Sequence, residues 1–324
     1  MELAKYILAI IGGFVVLVWG ADRFVHGAAG TARNLGISSL IIGLTIVGFG
    51  TSAPEILVSI MAAIDGSPGI AVGNALGSNI ANIGLVLGAT AIVFPMIVGS
   101  QTLRREFPMM LGMMIIGLLL IYDQQLSRLD GAILLTCIVG ITLWLIRIGK
   151  TQRLHEPMRD EFESEIPIIP LKTALIWTVV GLVLLLISSR VLVYGAVNIA
   201  KFYGVSDLII GLTIIAIGTS LPELATSLMS AIKKEPDIAI GNIIGSNMFN
   251  LLAVLGIPAV ISPIALEAHV LHRDYAVMLV MSVLLFLFAY GFKGVGRINR
   301  FEGTVLLGGY FAYMAYLSIG VIQA

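Results

Sequence analysis

The chain has 324 residues, 58% of them hydrophobic and 12% charged, with a formal net charge of zero. A soluble domain carries about 25% charged residues, so this chain cannot cover its surface in water and takes lipid as its solvent. The neutral balance argues against nucleic acid and acidic partners. The lone cysteine, Cys137, excludes an internal disulfide and reads as an apolar filler.

Crossing the hydrocarbon takes about 20 apolar residues per helix. In chain order ten such stretches are predicted, at 5–30, 38–64, 69–94, 103–122, 130–148, 171–200, 206–232, 237–262, 274–291 and 302–321. The first apolar run, Tyr6 to Ala21, lacks a basic flank because Glu2 and Lys5 cancel, so it is expected to be a retained helix rather than a leader. Residues 150–170 hold Arg153, Arg159, Asp160, Glu161, Glu163 and Glu165 and are expected to form a solvated linker. With ten spans, fourteen Lys and Arg residues fall on one side and five on the other. The positive-inside rule then places both termini outside and the linker in the cytoplasm.

An internal repeat organises the chain. Residues 36–95 align without a gap on 204–263, and 32 of the 60 positions are identical. Beyond that stretch Arg105-Glu106 faces Arg273-Asp274, and Asp22 faces Arg190 with opposite charge. The last two charges are expected to serve an interfacial ion pair or to snorkel. Five spans per unit make the second unit enter from the other side of the membrane. The predicted fold is an all-α integral membrane protein of two inverted five-helix repeats, 1–149 and 171–324, with helices 2, 3, 7 and 8 broken. Inverted repeats of this kind underlie alternating access in secondary transporters.

Two segments in each repeat carry chemistry. The first is Gly48-Phe49-Gly50-Thr51-Ser52-Ala53-Pro54-Glu55, matched by Ala216-Ile217-Gly218-Thr219-Ser220-Leu221-Pro222-Glu223. Each lies mid-span, where proline removes a backbone donor and glycine weakens the helix. Broken backbone at that depth is tolerated only inside protein or along a polar cavity. Free carbonyls, hydroxyls and a carboxylate make an all-oxygen set suited to hard cations such as Na⁺ and Ca²⁺. An ionised Glu at a helix centre costs roughly 2.5–3.5 kcal/mol. Two such glutamates at equivalent positions read as a pair of cation ligands, against the blander alternative of protonated, hydrogen-bonded side chains. The second segment is Gly73-Asn74-Ala75-Leu76-Gly77-Ser78-Asn79-Ile80-Ala81-Asn82, matched by Gly241-Asn242-Ile243-Ile244-Gly245-Ser246-Asn247-Met248-Phe249-Asn250. Its glycines follow the spacing of close helix packing. Ser78 with Asn82, and Ser246 with Asn250, share one helical face and are candidates to ligate or support the ion. Asn74, Asn79, Asn242 and Asn247 are assigned to support or packing. His26, His155, His269 and His272 share no metal spacing, and the methionines near 109–114 and 278–281 are expected to face lipid or fill gaps.

The doubled GTSxPE and GNxxGSNxxN pattern resembles the alpha-repeats of the sodium/calcium exchanger family, over nearly the whole chain and closest to its small prokaryotic members. The resemblance implies a sodium/calcium antiporter with no cofactor beyond its transported ions, lipid as its only other partner, a monomer as sufficient unit, and a bacterial inner membrane as its location. It implies Glu55 and Glu223 as central carboxylates shared by Ca²⁺ and Na⁺. It implies Thr51, Ser52, Thr219 and Ser220 as hydroxyl and carbonyl ligands, Ser78 and Ser246 as outer sodium ligands, and Gly48 and Ala216 as carbonyl ligands. Asn82 and Asn250 take the remaining central positions. Part of the family, including its potassium-dependent branch, has Asp at the place of Asn250, so the resemblance argues against potassium dependence here. A Ca²⁺/H⁺ exchanger using the same carboxylates is the alternative. An intramembrane aspartyl protease is argued against by the lack of paired Asp residues and of a Gly-x-Gly-Asp segment.

Overall fold

Among the described residues, helix α1 (Glu2–Leu35) and helix α7 (Leu171–Phe202) are the longest, at 34 and 32 residues. The computed structural model describes residues 2–99, 102–152, 169–204, 216–290 and 296–322. Most of the linker predicted at 150–170, and residues 206–215 of the predicted seventh span, lie outside the described residues. Glycines let α1 and α7 press together in antiparallel fashion. A Cβ on Gly13 would meet the backbone of Ser188 and Leu192, one on Gly20 would meet Leu185, and one on Gly195 would meet Tyr6 and Ile10. Much of both helices is exposed, including Phe14, Val18, Val183 and Ile187, which is how a lipid-facing pair reads without its lipid.

Next come α2 (Ser39–Thr51) and α3 (Ala53–Ile64), bent by 43° where they join. The hinge residue Ser52 has φ −80° and ψ 2°, and Pro54 occupies the first turn of α3. Proline is tolerated there because the N–H it lacks has no intrahelical partner in any case. Its ring is incompatible with an unbroken helix running back through Gly50. The second copy of the motif behaves alike, with α8 (Ala216–Thr219), a hinge at Ser220 (φ −88°, ψ 5°), and α9 (Leu221–Ile232) opening on Pro222.

Helices α4 (Pro68–Val93) and α10 (Pro236–Ile261) run through the centre. Both were expected to break at their Gly/Asn segments. Neither does. Each stays helical and takes one wide π turn, at Asn82–Leu87 and at Asn250–Val254. These segments have glycine but no proline before the amides, so the ladder widens by one residue and does not part. The remaining helices are α5 (Phe107–Leu120), α6 (Arg128–Gln152), α11 (Val270–Ala289) and α12 (Arg300–Ile322). Among the described residues, six helices are long and apolar enough to cross a bilayer, or seven if the bent α2/α3 pair forms one span.

Four two-residue strands tie the ends of the helices crosswise. Strand β1 (Met96–Ile97) pairs antiparallel with β4 (Arg297–Ile298), and β2 (Gln125–Leu126) with β3 (Ile264–Ala265). The main core is built around α4, α5, α10 and α11. Met110, Met114, Met278 and Met281 are buried in it, so these methionines pack inside the protein and do not face lipid. Cys137 is half-buried and free, packed against the core.

Candidate cation site

The glutamates stand in the first turns of α3 and α9. A helix N-terminus carries unsatisfied N–H groups and a partial positive charge, which favours a carboxylate. Both side chains are nonetheless sealed from solvent, at 1% exposure each. They lie near enough for their charges to repel. The hydroxyls of Thr51 and Ser52 face the Glu223 carboxyl without a hydrogen bond of good geometry.

Each glutamate is held from behind by an amide of the second motif. Asn74 Nδ2 donates to the Glu55 carbonyl at 2.9 Å and to Ser59 Oγ at 2.9 Å. Asn242 Nδ2 donates to the Glu223 carbonyl at 3.3 Å and to Ser227 Oγ at 3.0 Å. These contacts fix the hinge segments against α4 and α10. Ser59 and Ser227 escaped the sequence reading, although they lie one helical turn after the glutamates and recur in both repeats.

One set of predicted residues is joined directly across the two halves. Thr51 Oγ1 donates to Asn242 Oδ1 (3.0 Å) and lies 3.2 Å from Ser246 Oγ, which in turn reaches the Gly48 carbonyl at 3.4 Å. Close backbone approach makes this possible. A Cβ on Gly48 would lie 3.0 Å from the Gly245–Ser246 peptide, and one on Gly241 would lie 2.6 Å from the Leu40 carbonyl. Ser78 is buried one turn before Asn82 and takes no part in that set. In the other copy Thr219 is half-buried, and the neighbouring Gly218 carbonyl accepts from Ser189 of α7 at 2.9 Å. Ala216 opens the described part of its helix, and its side chain lies outside the description.

The wide turns carry the remaining pair. The Asn82–Leu87 turn packs on α9 and α10, and the Asn250–Val254 turn on α3 and α4, so each half's amide covers the other half's glutamate helix. Both polar atoms of Asn82 and of Asn250 are buried without a hydrogen-bond partner. So are Ser52 Oγ, Ser220 Oγ, Glu55 Oε2 and both carboxylate oxygens of Glu223. An orphaned buried polar atom costs about 1–3 kcal/mol, and more when charged. Among the described residues that cost is concentrated on the candidate ligands, which hold nine of the fourteen such atoms, the other five being on Arg23, Asn79, Glu106, Thr226 and Asn247. It is the signature of donors arranged for something other than one another. Among the described residues no group of three or more His, Cys, Asp or Glu could hold a metal, so the set is two carboxylates amid neutral oxygens. An all-oxygen set of this kind fits a hard cation.

Asn79 and Asn247 point elsewhere. Their amides contact sulfur, Met278 Sδ at 3.3 Å and Met110 Sδ at 3.9 Å. They join α4 to α11 and α10 to α5, which is a packing role.

The chain matches the sodium/calcium exchanger protein family over residues 5–147 and 173–319. It is 50% identical to the candidate antiporter CaxA of Alkalimonas amylolytica, over 95% of this chain and 97% of that one. It is 42% identical to the inner membrane protein YrbG of Escherichia coli K12, over 95% of each chain. A solved structure of the sodium-calcium exchanger NCX_Mj, soaked without Na⁺ and Ca²⁺, is similar with a TM-score of 0.84 at 32% identity, covering 97% of this chain and 99% of that chain.

Proposed function

Because this chain belongs to the sodium/calcium exchanger family, a family of cation/calcium antiporters in membranes, we propose that its own reaction is the exchange of Na⁺ for Ca²⁺ by alternating access, without a need for K⁺. The observation that carries this reading is the cluster of buried, unpartnered oxygens around Glu55 and Glu223. In this reading Glu55 and Glu223 bind Ca²⁺ and Na⁺ in turn. Thr51, Ser52, Thr219 and Ser220 add hydroxyl or carbonyl oxygens, Gly48 and Ala216 add carbonyls, and Ser78 and Ser246 form outer sodium positions. Asn82 and Asn250 close the centre with amide oxygens. Nothing in this cycle makes or breaks a covalent bond. With Asn at 250 the site holds two carboxylates, whose charge one Ca²⁺ neutralises.

We read the architecture as ten spans in two inverted repeats. Counting α2/α3 and α8/α9 as one broken span each, and adding α5 and α12, extends the membrane-length helices to that number. The antiparallel α1/α7 pair, the crosswise strands, and the matched Asn74 and Asn242 contacts all support an inverted relation. The arginine and lysine bias supports both termini outside, the likeness to the inner membrane protein YrbG supports the inner membrane of a bacterium, and we take a monomer as sufficient for the site.

Calcium uptake into proteoliposomes under separately imposed sodium, potassium and proton gradients tests the reading. Uptake should follow the outward sodium gradient and ignore potassium. Uptake that follows a proton gradient and ignores sodium would make this a calcium/proton exchanger instead.

A further inference from the structure

Away from the carboxylates, an ion pair fastens α1 to the far end of α9. Lys233 Nζ lies 2.7 Å from Asp22 Oδ1. Arg23 stands beside it, with Nε 3.6 Å from Asp22 Oδ2 and its guanidinium 4.9 Å from the Trp177 ring centroid on α7. None of these residues belongs to the cation site.

The repeat carries this pair onto a second one. At the offset of 168, Asp22 corresponds to Arg190 and Lys233 to Asp65. Both charges are reversed, so the second pair is again one acid and one base. A single reversal would have produced repulsion, and two together keep the attraction. The chain ends that carry them are built alike, because Gly66 and Lys234, the next residues, both take positive φ (69° and 59°). Yet Arg190 and Asp65 are both exposed, and among the described residues neither has an ion-pair partner. The packing is unequal in the same sense. Helix α1 packs along α9, whereas α7 makes no comparable packing against α3. Gly241 and Asn242 are buried where Gly73 is exposed and Asn74 half-buried.

We propose that Asp22–Lys233 and Arg190–Asp65 are alternating latches of the transport cycle. The first holds the cytoplasmic side shut in the conformation described, and the second holds the outer side shut in the opposite one. This rests on the inverted-repeat reading above. In an inverted repeat, exchanging the conformations of the two halves produces the state that faces the other way. Under that exchange α7 takes up against α3 the packing that α1 has against α9, and Arg190 meets Asp65. The pairs are partly exposed, so each biases a two-state balance by about 1.5- to 5-fold. They set populations and do not carry ions.

The test uses the full chain with Cys137→Ala, reconstituted in proteoliposomes and treated with a short bis-methanethiosulfonate crosslinker. Asp22→Cys with Lys233→Cys should link, and so should Arg190→Cys with Asp65→Cys. In the four-cysteine protein, linking one pair should prevent linking of the other. Failure of the 65/190 pair to link, or both pairs linked in one molecule, would overturn the proposal. A charge variant gives a second reading. Arg190→Asp should slow turnover by about 1.5- to 5-fold, and adding Asp65→Arg should restore it. No restoration also overturns the latch. Crosslinking reads geometry whichever cation is carried, so failure of the latch and failure of calcium exchange remain distinguishable.

Discussion

Asn242 contacts three groups at once: the Glu223 carbonyl, Ser227 Oγ and, through its own oxygen, Thr51 Oγ1, which in turn meets Ser246. Replacing it by alanine strands buried donors and acceptors in both halves, at about 1–3 kcal/mol. Asn242→Ala should therefore lower the thermal unfolding midpoint in detergent and raise the KM for calcium. Asn74→Ala should do less, because Asn74 is only half-buried. The hydroxyls of Ser52 and Ser220 give the opposite signature, since among the described residues neither has a hydrogen-bond partner. Ser52→Ala and Ser220→Ala should leave thermal stability unchanged or raise it, while weakening sodium-dependent calcium uptake. A loss of stability in both variants, with uptake intact, would show that these hydroxyls are structural.

At the scale of elements, the breaks and the close contacts do different work. The hinges at Ser52 and Ser220 aim the carboxylates, and the glycine faces of α2 and α10 bring the two halves within reach. A Cβ on Gly241 would press on the Leu40 carbonyl at 2.6 Å, whereas one on Gly140 of α6 meets nothing within 4 Å. Gly241→Val should cost about 1–3 kcal/mol through overpacking and impair exchange. Gly140→Ala should change neither, as thermal unfolding and uptake of the two variants side by side will show. The hinges were legible in the sequence because Pro54 and Pro222 act locally, through a missing N–H and a ring clash. The glutamate pair was legible for a similar reason: a charge in mid-span has few explanations, and two at equivalent positions fewer. The continuity of α4 and α10 was not legible. Their Gly/Asn composition permits either a break or a wide turn, and packing of each turn against the opposite half decides between them. The partners of Asn74 and Asn242 were hidden likewise, since they depend on which helix lies behind which.

For the whole molecule, the two halves contribute matching parts to one buried set of oxygens, and their unequal packing gives that set a direction. If three Na⁺ move for each Ca²⁺, each cycle carries one net charge, worth about 2.3 kcal/mol per 100 mV. For three Na⁺ leaving as one Ca²⁺ enters, net positive charge moves outward, so an inside-positive potential should speed uptake and an inside-negative one should slow it. Indifference to potential would indicate electroneutral exchange. In the proposed cycle Glu55 and Glu223 together form the transport site. One buried charge at ~4 Å from a cation, at an effective dielectric of ~20, is worth about 4 kcal/mol per unit of cation charge, so losing either carboxylate removes most of the affinity for Ca²⁺. The most direct measurement is calcium uptake into sodium-loaded vesicles by the wild type, Glu55→Gln and Glu223→Gln, at equal membrane insertion. Uptake is expected from the wild type and none above background from either variant; undiminished uptake by either one would show that its carboxylate is not part of the transport site.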